Sequence, residues 1–242
     1  MERLSGAEER LDGPLDDRAA LVGNLRDLRR VNRHLGGVAL SARGLDVLAD
    51  GRSELTLLDV GTGGADIPVA LIRAWRRDGR RLDVVGLDSQ PAVLAAAVVA
   101  DPRLPAIDGL ELHVGDGRAL PYPDGSFDVA HVSLVVHHLE PDEAVALLRE
   151  LARVARLGVV VNDLRRGRFA LLGAWLLAHA LTTNPFTRHD APMSVRRAYT
   201  LDETSGLLGA AGLREVARRR GPFGHRWAIV AVPIDGSEPT PR

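Results

Sequence analysis

The chain has 242 residues, 45% of them hydrophobic, which is enough apolar material for one substantial buried core and excludes a globally disordered chain. Its 31 basic residues are all arginine and are balanced by 32 acids, a net charge of −1, so the chain as a whole is neither a polyanion binder nor an acidic scaffold. It has no cysteine, which excludes disulfides, thiolate chemistry and cysteine-held metals. With no apolar run of 18 residues and no signal-peptide pattern, a soluble, cytoplasmic protein is expected.

Residues 1–17 are charged and turn-rich, residues 233–242 mix Pro and Gly with polar residues, and both ends are expected to be loose. Between Arg18 and Leu48, Leu21, Leu25, Leu28, Val31 and Leu35 recur at steps of three and four, which predicts a helix; Gly36-Gly37 stops it and a second helix follows. Leu55–Val60 is a short apolar run closed by Gly61, the pattern of a buried parallel strand, with a helix after it through Ile67–Arg77. The pattern repeats as strand Leu82–Asp88, helix Ala92–Ala100, strand Leu110–Val114, a turn at 121–125, strand Phe127–Leu134, helix Pro141–Arg156 and strand Val159–Val161. Such alternation predicts an α/β fold, a parallel sheet with helices on both faces.

Residues 164–200 break this rhythm with an Arg-rich start, a 13-residue apolar run from Phe169 to Leu181 and a loop containing Pro, His and Arg. They are expected to form an insertion over the strand ends. The chain resumes with a helix at Leu201–Ala211, a strand at Leu213–Arg220, a Gly-Pro turn and a strand at Trp227–Val232. With no linker and no repeat, one domain is expected over 1–242: a helical cap at 18–50, a ligand-binding core at 55–162, a lid at 164–200 and a C-terminal helix and strands at 201–232.

The chemistry concentrates where the first strand ends, in Asp59-Val60-Gly61-Thr62-Gly63-Gly64-Ala65-Asp66. Glycines at 61 and 63 let the backbone turn tightly and approach a ligand. Asp88 ends the next strand, where an acid can accept both hydroxyls of a ribose held over the glycine loop. In a dinucleotide fingerprint a third glycine opens the helix to a pyrophosphate, but that position is Asp66, whose carboxylate repels one. A cofactor without phosphate and with a cationic centre tolerates Asp59 and Asp66 instead. S-adenosylmethionine (SAM) fits that description.

Leu57-Leu58-Asp59-Val60-Gly61-Thr62-Gly63 resembles the first motif of class I SAM-dependent methyltransferases, Val85-Gly86-Leu87-Asp88 resembles their acidic loop, and Gly115 to Asp128 resembles their third and fourth blocks. The resemblance implies a Rossmann-like, seven-stranded, mostly parallel sheet with an antiparallel last strand. It implies that the loop Gly61, Thr62, Gly63 lies against the methionine part of SAM and that Asp88 holds the ribose diol. It further places Ser89 beside the adenine, Asp116 on the adenine amino group, the Gly117 backbone on the ring, and Ser133 where the main chain meets the cofactor's amino group. Ser89 departs from the larger apolar residue common there, so stacking falls to Val93 or is weaker.

Methyl transfer needs an acceptor held near the methyl group and, for weak acceptors, a base. His137 with Asp163 is one candidate pair and His189 with Asp190 another, while His138 reads as a packing or loop-orienting residue. Catechol-type transfer needs oxygen ligands for magnesium after the fourth and fifth strands; Asn162-Asp163 supplies half of them, but Ser133 stands where the first acid belongs, so no metal is expected. Without an Asn-Pro-Pro-Tyr block or a basic stretch interleaved with aromatics, no nucleic-acid partner is expected.

Residues 1–148 carry 16 Arg and 24 acids and residues 149–242 carry 15 Arg and 8 acids, so the acceptor side is the basic side. Arg165, Arg166, Arg168, Arg188, Arg196 and Arg197 bracket Phe169, Leu172, Trp175 and Leu176, as in a lid over a greasy pocket, a core helix with a solvated rim, or, less in keeping with the chain, a peripheral membrane contact. The loop Arg188 to Glu203 is similar to bacterial methyltransferases acting on polyketide-derived phenols and quinones. The expectation is SAM-dependent O- or C-methylation of a small, lipophilic, aromatic molecule. A nicotinamide oxidoreductase on a Rossmann sheet, opposed by Asp66, and a non-methylating member of the fold are the rivals. The apolar face of the first helix docks on the chain's own lid or on a second copy in a homodimer.

Overall fold

The apolar runs pair into one sheet in a computed structural model that describes residues 1–13 and 15–234. Its strands are β1 (Glu54–Val60), β2 (Arg81–Asp88), β3 (Leu110–Val114), β4 (Phe127–Ser133), β5 (Ala155–Leu164), β6 (Leu213–Arg220) and β7 (Arg226–Pro233), in spatial order β3-β2-β1-β4-β5-β7-β6. β1 to β5 run parallel and β7 is antiparallel to both neighbours. In the centre, Leu57 of β1 lies between Val84 of β2 and Val129 of β4. The strands read as continuous apolar runs because helices cover both faces.

On one face α2 (Gly37–Ala49) and α3 (Asp66–Arg77) bury Leu45, Leu48, Leu71, Ile72 and Trp75 against Leu57, Val129 and Val160. On the other, α5 (Pro141–Val154) and α8 (Leu201–Ala210) bury Leu147, Leu148, Leu151 and Leu208 against Val132, Val159 and Val161. Each such leucine contributes about 1.5–3 kcal/mol through area removed from water. Reciprocal capping boxes start α5, between Glu140 and Glu143, and α8, between Thr200 and Glu203. α4 (Pro91–Ala100) lies at the β2–β3 edge, and α1 (Arg18–His34) lays Leu21, Val22 and Leu25 on it through Val93, Ala96 and Ala97. That contact and one with α7 (Pro185–Arg197) cover the apolar face of α1.

Four expectations change. Only α1 is a cap; α2 belongs to the sheet, because Gly44 lets it approach Val160 so closely that a Cβ there would lie 2.6 Å from Val160 Cγ1. Second, α5 ends at Val154 and β5 begins at Ala155, so the strand is longer on both sides than its central Val159–Val161 run. Third, the supposed loop after α6 (Arg168–Leu181) is α7, whose N-cap Asn184 accepts from the amides of Phe186 and Thr187. Pro192 inside α7 reads as a breaker but removes only one helical hydrogen bond. Fourth, the described part of 1–17 is tied down although half of it is exposed: Glu9 is 3% exposed. Residues 235–242 of the expected loose tail lie outside the described residues, whereas Pro233 still belongs to β7 and Ile234 donates to Gly212 O at 2.8 Å. Among the described residues no helix is long and apolar enough to cross a membrane.

Candidate functional site

The strand order reverses between β1 and β4, and ligands of open α/β sheets bind outside the carboxyl ends of the strands at such a point. There the chain leaves β1 through Gly61 at φ +69° and Gly63 at φ +53°. A Cβ on Gly61 would lie 2.2 Å from Val135 Cγ2, so the glycine is required both by conformation and by space. The amides of Gly61 and Thr62 donate to Leu87 O at 2.8 and 3.0 Å, which clamps the loop to the end of β2.

Asp88 follows directly. It is buried, accepts from the Gly63 amide on one oxygen and the Gln90 amide on the other, both at 3.0 Å, and retains lone pairs on each for a diol. Burial holds its carboxyl above the usual carboxylate range despite these bonds, and nearby Asp59 adds to the rise. Asp66, at the start of α3, is raised by burial in the same way. The cradle therefore concentrates acids whose ionisation a bound cation would favour. Asp59 itself is buried against His131, Oδ1 to Nδ1 2.5 Å.

The other residues expected around the cofactor divide. Thr62 is buried with its Oγ1 unpartnered among the described residues, and Gly117 packs its backbone against Val60 and Leu147. Ser89 is exposed. Asp116 is half-exposed and held by its own turn, accepting from the Arg118 amide at 2.9 Å and from the Arg118 guanidinium. Ser133 ends β4, and the next residue, Leu134, sits at φ +57°, a strained conformation for a branched side chain at the mouth of the cradle.

Beneath the cradle runs a buried polar chain that periodicity did not reveal. His131 Nε2 lies 2.7 Å from Ser41 Oγ, which accepts from Asn162 Nδ2 at 2.8 Å. Asn162 Oδ1 in turn accepts from Arg226 Nε at 2.7 Å, and Arg226 also donates to Asn32 Oδ1 and Ser133 Oγ, each at 2.7 Å. Burial pulls the Arg226 guanidinium down to about 10, with Asp163 and Asp66 resisting. The sequence signal for such a hub is a charged residue, Arg226, opening an otherwise apolar strand.

On the side where the sequence places the acceptor, Asp163 at the end of β5 meets the short helical turn Val136–His138 after β4. His137 Nδ1 is 2.6 Å from Asp163 Oδ1, and the His137 amide donates to Asp163 Oδ2 at 3.1 Å. Against the upward push of burial, the charge and hydrogen bond of His137 hold Asp163 below the usual carboxylate range. His137 Nε2 does not face open space: it is turned on Glu9, 3.8 Å away. His189 is placed apart, on α7, 2.7 Å from Asp190 and half-exposed, while Asp190 accepts from the amides of Arg10 and Leu11.

Residues 1–12 thus form a strap over this corner. Arg3 donates to Glu140 at 2.7 Å and to Leu139 O at 2.7 Å and stacks on Tyr199, and Arg197 reaches Asp12 at 2.8 Å. Beside the strap, α6 and α7 enclose an open cleft of about 890 Å³ lined by Met1, Arg168, Leu171, Leu172, Trp175, Pro192 and Arg196. Of the expected lid residues, Leu172 and Trp175 line it, while Phe169 is 92% exposed.

The strand order and the glycine-acid cradle are those of the class I methyltransferase fold, and comparison with known proteins agrees. A family profile described as a methyltransferase domain matches residues 58–161. A demethylmenaquinone methyltransferase from Beutenbergia cavernae is 31% identical over 188 residues, 72% of each chain. An uncharacterised methyltransferase of Synechocystis sp. is 29% identical over 112 residues, 46% of this chain, and there the match spans only about half the relative, 47%. An O-methyltransferase family 2 protein from Planctomyces limnophilus, solved with apigenin, superposes with a TM-score of 0.66 at 19% identity over 90% of this chain and 62% of that one. The chain belongs to the class I SAM-dependent methyltransferases. SAM, the cofactor of that family, fits the residues present: the buried Asp88 suits its ribose, and the acids Asp59, Asp66 and Asp88 suit its cationic groups.

Proposed function

We propose that this chain transfers a methyl group from SAM to an oxygen or carbon of a small, lipophilic aromatic acceptor, a phenol or hydroxyquinone. The observation that carries the cofactor half is Asp88, buried at the end of β2 and hydrogen-bonded to the glycine-loop amide of Gly63. When bound, SAM supplies an activated sulfonium methyl group. The chain's own part is to orient it: the Gly61–Gly63 backbone approaches the methionine portion and Asp88 fixes the ribose. Asp59 and Asp66 offset the positive charge.

Support for the acceptor half is the cleft, whose Leu171, Leu172 and Trp175 suit an aromatic body. Arg168 and Arg196 on its rim favour an ionised phenol or enol over the neutral form, raising the electron density that attacks the methyl carbon. Deprotonation is thereby eased without a side-chain base. In the arrangement described, His137 orients the loop after β4; to act as the base, its Nε2 would first have to be uncovered from Glu9. The relative's name, demethylmenaquinone methyltransferase, supports the same acceptor class.

Calorimetric titration with S-adenosylhomocysteine, beside a nicotinamide dinucleotide, tests the cofactor. Micromolar binding of the first and none of the second is expected. Asp88→Ala should then weaken it by about 1.5–3 kcal/mol, roughly 10- to 150-fold, through loss of a charge-assisted contact. Dinucleotide binding would overturn the reading in favour of an oxidoreductase. Cofactor binding with no methyl transfer to any of a panel of phenols and hydroxyquinones would point to a non-methylating member of the fold.

A further inference from the structure

Away from the cofactor cradle, Glu9, His137 and His138 bring three ligand atoms within 4.8 Å of one another. Glu9 and His137 are 3% and 2% exposed. Glu9 Oε1 and His137 Nε2 lie 3.8 Å apart, too far for a hydrogen bond, and neither has a partner among the described residues. His138 Nε2 is 3.8 Å from the other oxygen of Glu9. Two buried polar atoms face each other across a gap with no hydrogen bond to either among the described residues.

The groups behind these atoms are also in place. His137 Nδ1 is held by Asp163 at 2.6 Å and His138 Nδ1 by Asp12 at 2.8 Å. A carboxylate on Nδ1 orients each imidazole with Nε2 turned to Glu9, which is how metal-bound histidines are oriented, and a metal bound there displaces any proton on Nε2. The charges agree. Three carboxylates, Glu9, Asp12 and Asp163, stand near Arg197, 2.8 Å from Asp12 and 3.9 Å from Glu9 Oε1, and near Arg3, which reaches His137 O at 3.5 Å but is paired with Glu140 at 2.7 Å. Arg226, beyond Asp163, is shared with Asp66. Ser194 Oγ donates to Glu9 Oε2 at 2.7 Å and leaves Oε1 free.

We propose that Glu9, His137 and His138 bind a divalent first-row metal ion, zinc by the chemistry of two imidazoles and a carboxylate. The sequence predicts no metal, since it lacks cysteine and has Ser133 where a magnesium ligand belongs; Glu9 is 128 residues from His137, and only the fold brings the two together. Bonds of about 2.0–2.1 Å put tetrahedral ligand atoms about 3.4 Å apart, so atoms now within 4.8 Å of one another close on the ion by side-chain rotation. The ion pins the strap to the loop after β4 and so fixes the floor of the acceptor side. The site is independent of methyl transfer and of the acceptor's identity.

The test uses the full chain, stripped with a chelator and titrated with Zn²⁺ against a chromophoric competitor, with Co²⁺ as an optical probe. One equivalent bound at micromolar dissociation constant or tighter is expected, with the visible absorption of four-coordinate Co²⁺ and a zinc-dependent slowing of proteolysis within residues 1–13. Glu9→Gln and His138→Ala should weaken binding on the order of 100-fold, and Asp12→Asn, a positioning change, by roughly 10- to 100-fold. His179→Ala, on the exposed side of α6, should leave stoichiometry unchanged. Absence of saturable binding by the unaltered chain overturns the proposal whatever the variants do. Binding that Glu9→Gln leaves intact overturns it too.

Discussion

The cofactor cradle is built from backbone, whereas the acceptor corner is built from charged side chains that meet from distant parts of the chain. In the cradle, Gly61, Thr62 and Gly63 are set by their own torsions and by amide bonds to Leu87 and Asp88, residues of the adjoining strand. In the corner, Arg3 reaches Glu140, Glu9 reaches Ser194 and Asp12 reaches Arg197, contacts that span most of the sequence. A backbone cradle serves one constant ligand because a peptide loop has few variables. A side-chain corner can be re-lined without disturbing the sheet, which would suit the acceptor role proposed for it.

The largest effect should come from Arg226, which lies between the two regions. Arg226 ties Asn162 and Ser133, on β5 and β4, to Asn32 of α1, and it lies within the field of both Asp66 and Asp163. Arg226→Met keeps the volume but strands these partners, and should cost about 3–5 kcal/mol of stability in urea unfolding. A loss below about 1 kcal/mol would mean that the two regions are braced independently.

Gly61→Ala acts first on the cradle and presses on the corner only through Val135, which leads into the turn Val136–His138. The added methyl meets Val135 and the residue keeps a left-handed φ, so roughly 1–2 kcal/mol of conformational cost adds to about 1–3 kcal/mol of overpacking. Cofactor affinity should fall steeply while zinc binding in the corner is retained. Equal loss of both would show that the comparison between the regions is false, since the cradle would then be holding the corner in shape.

The difference in construction also decides what could be read from the sequence. The strands, the glycine loop and Asp88 are local patterns: Leu55–Val60 closed by glycine and Leu82–Asp88 closed by an acid carry their meaning within a dozen residues. Asp163 beside His137 followed from two strand ends lying next to each other. The strap did not follow, because a charged, aperiodic N-terminus carries no mark of burial and Glu9, Asp12 and Arg3 gain theirs only from α7 and the loop after β4. The chain His131–Ser41–Asn162–Arg226 was hidden for a related reason. Strand periodicity shows which face a residue takes, not which polar partner awaits it there.

The smallest effect concerns pH and separates the regions by sign. Burial raises Asp88 and Asp66 above the usual carboxylate range. An acid whose folded value is raised favours the folded state in its protonated form, so this contribution is fullest at low pH and is lost as pH climbs through the raised values. The free protein should therefore become slightly less stable over that window. SAM carries a sulfonium charge that S-adenosylhomocysteine lacks, so it should bind more tightly as the same groups ionise, by at most about tenfold per pH unit for each proton released. The ratio of the two affinities, measured by calorimetry from pH 4.5 to 7.5 as about the practical range, should rise with pH and then level. A flat ratio would place the sulfonium away from Asp59, Asp66 and Asp88. The acids of the cradle would then shape the glycine loop without sensing the cofactor's charge.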